Sequence, residues 1–159
     1  VAAYFGKDVL REVDEEELIA AIPALREKAG DRAILRALHF FRENRRVAAQ
    51  KAALRAGDLD GFFAGVLASG RSSFCYLQNV YTTKNLREQG LSLALCLADE
   101  FLDGKRAAWR VHGGGFAGTI QAYVPFAEVE GFRHRMDSVF GEGKCIVLRI
   151  RPEGAVRIA

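Results

Sequence analysis

The sequence predicts an α+β domain in which an antiparallel sheet carries helices on one face. Three observations indicate this fold class. Apolar residues follow helical spacing through the first half of the chain, apolar and polar residues alternate from residue 107 to 124, and a glycine run interrupts the alternating stretch. A block of helices followed by short strands favours separate α and β layers over alternating parallel βα units.

The first helices have recognisable boundaries. Asp14 and Glu17 have the spacing of a capping box, which predicts a helix that begins just after Asp14. Pro23 is expected to kink or end that helix because proline lacks the amide N–H that a helix interior needs. A longer helix is predicted over residues 31–56, where apolar residues recur at steps of three, four and seven.

Two further helices complete the helical layer. Gly57 and Asp58 supply a C-cap and the next N-cap, and a helix with an apolar side is predicted after them. The pattern weakens over residues 69–85, so we expect a break there. A strongly apolar helix is predicted over residues 86–102.

The remainder of the chain is predicted to be mixed. The alternation over residues 107–112 and 119–124 indicates two strands. Pro125 can occupy the first turn of a helix, and a third strand over residues 144–150 and a short fourth over 155–158 are predicted after it. We expect residues 1–159 to form a single domain.

The glycine run between the two strands is the strongest candidate for a binding site. Its members are Gly113, Gly114, Gly115, Phe116, Ala117 and Gly118. Glycines leave main-chain N–H groups unshielded and free to take positive φ, which is what a close approach to phosphate oxygens requires. An anionic ligand is therefore the first hypothesis, and a simple flexible hairpin connection is the alternative.

Two familiar phosphate motifs do not fit this run. Gly113, Gly115 and Gly118 satisfy the letters of a dinucleotide fingerprint, but that motif opens a helix, whereas residues 119–124 alternate like a strand. A P-loop is excluded because no Gly-Lys-Ser/Thr follows. The interpretation as a Rossmann or P-loop site is therefore rejected.

Composition bounds the remaining possibilities. The chain has 159 residues and a formal charge of +3, which is too small an excess to imply a nucleic-acid partner. No apolar run reaches the ~18 residues that cross a bilayer, so we expect a soluble protein without a membrane partner. Three cysteines without C-x-x-C spacing suggest neither disulfides nor zinc; Cys96 is expected in the core, and a cytoplasmic location fits.

Two motifs resemble those of the GHMP small-molecule kinases, and most of all galactokinases. Residues 111–118, followed by 119–125, resemble the third, C-terminal glycine motif of that family. Residues 39–47 resemble the galactokinase stretch in which a histidine is followed four residues later by Glu-Asn and then by Arg. A helix ending in Gly-Asp-Leu at residues 57–59 follows, and the resemblance covers roughly residues 9–158.

The resemblance implies a C-terminal GHMP domain with ferredoxin-like layers. Enzymes of that family transfer the γ-phosphoryl group of Mg-ATP to a sugar hydroxyl, here most simply the 1-hydroxyl of galactose. By resemblance, residues 113–118 lie beside the nucleotide phosphates. ATP, Mg²⁺ and a sugar are the implied cofactors and partners, and the reaction belongs to galactose metabolism.

The resemblance also implies a missing part. The chain begins with Val1 and its only methionine is Met136, so we expect a fragment of a longer protein. The family's sugar-recognition segment, second phosphate loop and catalytic aspartate belong to an N-terminal domain, and no residue here matches them. We therefore assign no catalytic residue and no metal ligand to this chain, and expect it to be inactive alone.

The chain departs from the family pattern at several positions. Ala117 stands where galactokinases usually have glycine, and His112 replaces the usual threonine. The segment 69–73 lacks the histidine that follows its first serine, and 78–91 lacks the expected acidic pattern. These departures leave the identity of the sugar open.

Other polar candidates have plainer interpretations. His39, Glu43 and Asn44 could face a missing domain, but polar pairs four residues apart on a helix more often brace local packing, and we assign them no catalytic role. His134 is expected on the surface. His112 could add charge near the phosphates or simply end a strand.

A rival hypothesis from another class is a ferredoxin-like regulatory module that binds a small ligand or RNA. RNA recognition would place exposed aromatic residues on the sheet, and Trp109 and Tyr123 are the candidates. A third hypothesis is that the chain mainly supplies an interdomain surface. It predicts an exposed apolar patch near the glycine loop.

Overall fold

The computed structural model describes residues 1–116, 118–150, 152–154 and 156. The chain forms two compact units, Val1–Pro125 and Phe126–Ala159. The fold is α+β and mostly helical, with a small two-stranded antiparallel sheet in the first unit. The predicted class is therefore confirmed at this coarse level.

Helices account for most of the first unit. Its α-helices and strands are α1 Glu15–Ala20, α2 Ile22–Ala29, α3 Asp31–Arg55, α4 Leu59–Ser72, α5 Gly90–Leu102, β1 Ala108–Val111 and β2 Ile120–Tyr123. Short 3₁₀ turns at Ala2–Phe5 and Leu10–Glu12 precede α1, and a π-helical turn at Ser73–Leu77 extends α4.

The helix boundaries lie where the capping residues predict them. The Asp14 side chain accepts hydrogen bonds from the amides of Glu16 and Glu17, at 2.8 and 3.0 Å. These bonds satisfy two N–H groups that have no partner inside the helix. Asp58 caps α4 in the same way, through the Gly61 amide at 2.8 Å.

The helical layer has its own hydrophobic core. The buried residues of this cluster are Val13, Leu18, Leu25, Ile34 and Ala37, and they come from α1, α2, α3 and the turn before α1. Pro23 lies in the first turn of α2, so the proline begins a helix there, and the α1 helix ends before it. Burial of this apolar surface is the main source of stability for these short helices.

Helices cover both faces of the β1–β2 hairpin. On one face Gly70 of α4 lies against Arg110, and the Tyr123 ring packs against phenylalanines of α4. On the other face Leu91 of α5 is clustered with Val111. Because neighbouring residues of a strand point to opposite faces, α4 and α5 lie on opposite sides, and the predicted one-sided arrangement is wrong for this hairpin.

The second unit contains α6, Val129–Phe140, after a 3₁₀ turn at Phe126–Glu128. The third strand predicted over residues 144–150 is not formed, and Ile150 is 89% exposed. The apolar, partly β-branched residues of this segment indicate β propensity, but a strand also needs a neighbour that completes its hydrogen-bond ladder. The fourth strand falls on 155–158, of which only Val156 is described, and that residue is not in a strand.

The apolar helix α5 is only partly covered. Cys96 is exposed on α5, so the expectation that it is a core residue is wrong. The apolar run around it is wide enough to leave part of the helix surface uncovered within the first unit. Among the residues that the structure describes, none of the helices combines the length and the hydropathy of a membrane span.

Leu18 and Ile19 provide a matched test of the helical core. Leu18 is fully buried, whereas its neighbour Ile19 is 51% exposed on the same helix. We expect Leu18→Ala to lower the free energy of unfolding by about 2–5 kcal/mol, because a buried side chain is lost and a cavity remains. Ile19→Ala should lower it by about 0.5 kcal/mol or less. Urea unfolding followed by circular dichroism measures both, and equal losses would contradict this core.

Candidate functional site

The glycine run forms the loop of the β1–β2 hairpin, as the alternation on either side predicts. The strands pair in antiparallel register, with Val111 opposite Ile120 at the loop end. The His112 amide then donates to the Thr119 carbonyl oxygen at 3.0 Å, which closes the base of the loop. A strand follows the glycines, so the rejection of the Rossmann and P-loop interpretations is confirmed.

The loop is open to solvent and uses conformations that favour glycine. Gly113, Gly115 and Gly118 have φ values of 66°, 74° and 91°. Phe116 also has a positive φ, 59°, which is uncommon for a bulky residue, and its side chain is 53% exposed. A strained aromatic residue at the tip of an exposed loop is a feature that clusters at ligand sites.

Asn79 is a buried residue that makes two hydrogen bonds to the glycine loop. It follows the π-helical turn Ser73–Leu77, which Gln78 ends in a left-handed conformation with φ of 56°. Asn79 is only 2% exposed. Its main-chain oxygen accepts a hydrogen bond from the Phe116 amide at 2.8 Å, and its side-chain Nδ2 donates to the Gly114 carbonyl oxygen at 3.1 Å.

Gly115 lies directly against Asn79. A Cβ atom at Gly115 would be 2.7 Å from Cγ of Asn79, well inside van der Waals contact. A Cβ atom at Gly113, Gly114 or Gly118 would meet nothing within 4 Å. The glycine at position 115 is therefore required by both space and φ, whereas the open side of the loop has room for a ligand.

Some main-chain N–H groups of the glycine loop have a hydrogen-bond acceptor within the protein, and others have none among the described residues. The Phe116 N–H is used by Asn79. The Gly115 N–H faces the His112 carbonyl oxygen, because Gly113 and Gly114 form a hydrogen-bonded turn. The N–H groups of Gly113 and Gly114 have no acceptor among the described residues. Ala117 lies outside the described residues. Two consecutive free main-chain donors in a glycine turn are the kind of group that binds anions.

A polar network braces β1 from the α3–α4 side. The Ser69 hydroxyl of α4 donates to the Glu43 carboxylate of α3. Arg46 Nε donates to the same carboxylate at 2.9 Å, and Arg110 Nη1 of β1 lies 3.4 Å from it. Arg110 is two residues before His112, so the network fixes the strand that leads into the glycine loop.

The pKa values of this network indicate which groups are charged. Burial acts to raise the pKa of Glu43, but hydrogen bonds from Ser69 and Arg46 and the nearby arginine charges outweigh it, so the pKa lies below its usual range. Burial lowers the pKa of His39, whose Nδ1 shares a 2.9 Å hydrogen bond with Ser72. The network thus holds an ionised Glu43 and a neutral His39 near neutral pH.

The other predicted residues have structural positions. His39 and Glu43 brace the packing of α3 on α4, whereas Asn44 is exposed. His134 is exposed on α6, as expected, and the His112 side chain is exposed at the base of the loop. Sequence reasoning missed Asn79, because no motif marks an asparagine that contacts a loop 35 residues away.

No metal site is assigned. Among the described residues, no group of three or more His, Cys, Asp or Glu side chains is placed to hold a metal ion. Two shallow surface depressions lie among the N-terminal helices, one lined by residues such as Pro23 and Asp31 and the other by residues such as Leu10 and Arg36. Neither includes a residue of the glycine loop.

No protein-family model matches the chain, and no match is found among curated proteins. Function is therefore inferred from the motifs and from the geometry of the loop.

Burial of His39 makes the stability of the first unit depend on pH. Its lowered pKa means that the unfolded chain binds the His39 proton at a higher pH than the folded chain does. The free energy of unfolding should therefore fall as the pH drops below about 6.5, the ordinary pKa of histidine. Urea unfolding across roughly pH 5–8 measures the slope. In His39→Gln the slope should be smaller, and identical slopes would refute the assignment.

Proposed function

We propose that this chain is the C-terminal domain of a galactokinase-like GHMP sugar kinase. In the whole enzyme the γ-phosphoryl group of ATP passes to a sugar hydroxyl, most simply the 1-hydroxyl of galactose. Residues 113–118 line the phosphate side of the nucleotide site. A second domain, which carries the sugar-recognition segment and the catalytic aspartate, completes the cleft.

The observation that carries the proposal is the exposed glycine turn with two free amide donors. Gly113 and Gly114 present N–H groups that have no acceptor among the described residues, and a Cβ atom on either residue would meet nothing within 4 Å. Main-chain donors held in place before the ligand arrives do not need to reorient when charge develops on phosphate oxygens. This arrangement suits phosphoryl transfer, in which positioning and electrostatic stabilisation supply most of the catalysis.

A second observation supports the same proposal. Arg110, the residue just before the glycine motif, lies 3.4 Å from Glu43 of the stretch 39–47. The strand that leads into one resembling stretch therefore packs against the helix that carries the other. Glu43 acts here by fixing the strand, and no catalytic role is given to it.

The chemistry available to this chain is binding and orientation. When bound, ATP supplies the transferable phosphoryl group. The free amides of Gly113 and Gly114 would donate hydrogen bonds to phosphate oxygens and set the direction of the triphosphate. No residue of this chain is proposed as a ligand of Mg²⁺.

The alternative RNA-binding function is less well supported. Tyr123 is not free to stack on a base, because its ring packs against Phe62 and Phe63 at centroid distances of 5.4 and 5.6 Å. The interdomain hypothesis fits better, since Phe116 is exposed in the loop itself. A partner surface that covers Phe116 is compatible with the kinase proposal. RNA binding would instead require exposed aromatic residues on a face of the sheet.

Gly115 and Gly57 offer a matched test of the anion site. In a ¹⁵N-labelled chain we expect inorganic triphosphate to shift the amide resonances of Gly113 and Gly114 more than that of Phe116. Gly115→Ala should weaken binding by about tenfold or more, because a left-handed non-glycine residue costs roughly 1–2 kcal/mol and its Cβ would meet Asn79.

The control is Gly57→Ala, which puts a non-glycine residue at a similar left-handed φ of 70° outside the glycine loop, and it should bind within about twofold of the unmodified chain. Unchanged loop resonances at about 10 mM triphosphate, ten times a Kd of 1 mM, would refute the proposed anion site. A mobility shift with RNA that weakens steeply with salt would instead support the rival function.

The 159-residue chain should not phosphorylate galactose by itself. Phosphoryl transfer requires both substrates to be positioned, and the sugar-binding part of the proposed enzyme is not matched by any residue here. A coupled assay for ADP measures the turnover of ATP with and without galactose. Galactose-dependent turnover near ordinary kinase rates, ~1–100 per second, would overturn the proposed division of the enzyme.

A further inference from the structure

A π-helical turn, Ser73–Leu77, connects α4 to Asn79. We propose that this turn and the two residues after it form a two-state joint, in which Arg36 of α3 holds the register that places Asn79 against the glycine loop. The joint sets the order of the loop whether or not the loop binds a phosphate.

The π-helical turn gives the joint two discrete registers. The Gln78 amide donates to the Ser73 carbonyl oxygen at 2.8 Å, whereas in an α-helical register it would donate to Phe74, one residue closer. Every residue after the turn would then rotate by about 100° and shift by about 1.5 Å relative to α4. Single π-helical turns within longer helices are rare and are often found at functional sites.

The observed register is unfavourable by itself. Gln78 ends the turn with a positive φ of 56°, which non-glycine residues rarely adopt. Strained backbone of this kind persists only where surrounding contacts hold it. The contacts that hold residues 73–79 therefore decide which register the joint adopts.

Contacts from α3 hold the end of the turn. Arg36 Nε donates to the Leu77 carbonyl oxygen at 3.2 Å, at a helix end where carbonyl oxygens lack partners within the helix. The guanidinium charge also suits the negative end of the helix dipole. The Arg42 guanidinium lies over the Tyr76 ring, 5.4 Å from its centroid. The last two residues of the turn are thus both fixed by arginines of α3.

The joint is anchored on either side. Ser72, just before the turn, shares a 2.9 Å hydrogen bond with His39 of α3. Val80, just after the joint, is buried in the cluster with Leu91 and Val111. A change of register must therefore be absorbed between residues 73 and 79, where it displaces Asn79.

Asn79 transmits the state of the joint to the glycine loop. Its main-chain oxygen accepts from the Phe116 amide at 2.8 Å, and its Nδ2 donates to the Gly114 carbonyl oxygen at 3.1 Å. Rotation of residue 79 breaks both bonds together. The base of the loop, where the His112 amide donates to Thr119 at 3.0 Å, does not involve the joint. The middle of the loop is therefore held in the π-helical register and released in the α-helical one.

Arg36→Met tests the joint by removing the donor to Leu77 while keeping an unbranched apolar side chain. We expect the Phe116 amide to exchange with solvent about five- to tenfold faster, in line with one lost hydrogen bond. The His112 amide should change by less than about twofold, because local opening at the joint leaves the base of the loop closed. Hydrogen exchange followed by NMR on a ¹⁵N-labelled chain measures both amides in one sample. Equal acceleration of both amides would overturn the joint.

Arg32→Met is the matched control, since Arg32 carries the same charge, lies one turn earlier on α3 and is exposed. It should leave the exchange of the Phe116 amide unchanged. The same acceleration in Arg32→Met as in Arg36→Met would show that the loss of charge, rather than the contact with Leu77, is responsible, and the role of Arg36 would fail.

Gln78→Gly should act in the opposite direction. Glycine adopts a positive φ without steric cost, so the observed register becomes more favourable and the Phe116 amide should exchange about threefold more slowly or less. This variant keeps the contact of Arg36 and does not depend on the folding of Arg36→Met. Unchanged or faster exchange of the Phe116 amide in Gln78→Gly would contradict the two-state joint.

Discussion

The glycine loop depends on the fixed position of the hairpin that carries it. On one face of the hairpin, Arg110 meets the Glu43 carboxylate, which Ser69 and Arg46 also contact. On the other face, Val111 is buried against Leu91 of α5. A two-stranded hairpin alone is marginally stable in water, so packing on both faces is what gives this short sheet a defined geometry.

Fixing the strands does not by itself fix the loop. Four of the six residues from 113 to 118 are glycines, and glycine loses more conformational freedom on ordering than any other residue. The contacts with Asn79 restrict the middle of the loop before a ligand arrives, so less ordering remains to oppose binding. The two ends of the loop are not restricted in this way, since a Cβ atom placed on Gly113 or Gly118 would meet nothing within 4 Å.

Local signals in the sequence were sufficient for much of the fold. Asp14 and Asp58 mark helix starts because their side-chain oxygens accept hydrogen bonds from amides only two or three residues further along the chain. Such a contact can be predicted from the local sequence. The β1–β2 hairpin also follows from local alternation around the glycines. The glycine loop was a candidate site from sequence for the same reason, since positive φ is a local property of its residues.

The structural features that could not be predicted from the sequence depend on contacts between residues that are far apart in the chain. Residues 144–150 have the apolar, β-branched composition of a strand, but composition does not show whether a neighbouring strand is present. The contact of Asn79 with the loop requires the left-handed turn at Gln78 and the burial of Val80, neither of which has a motif. The two-sided cover of the hairpin likewise arises from tertiary packing, which overrides any inference from the order of elements.

The exposure of the loop to solvent limits how much its hydrogen bonds can add to the affinity for a ligand. Hydrogen bonds to a ligand that remains in contact with water contribute little net affinity, because water competes for the same groups. Covering the loop would lower the local dielectric constant and strengthen each amide–phosphate interaction. Phe116, half exposed beside the free amides, offers an apolar surface that such a cover would bury. We therefore expect this loop alone to set the direction of a triphosphate rather than its affinity, and tight binding to require a second surface against Phe116.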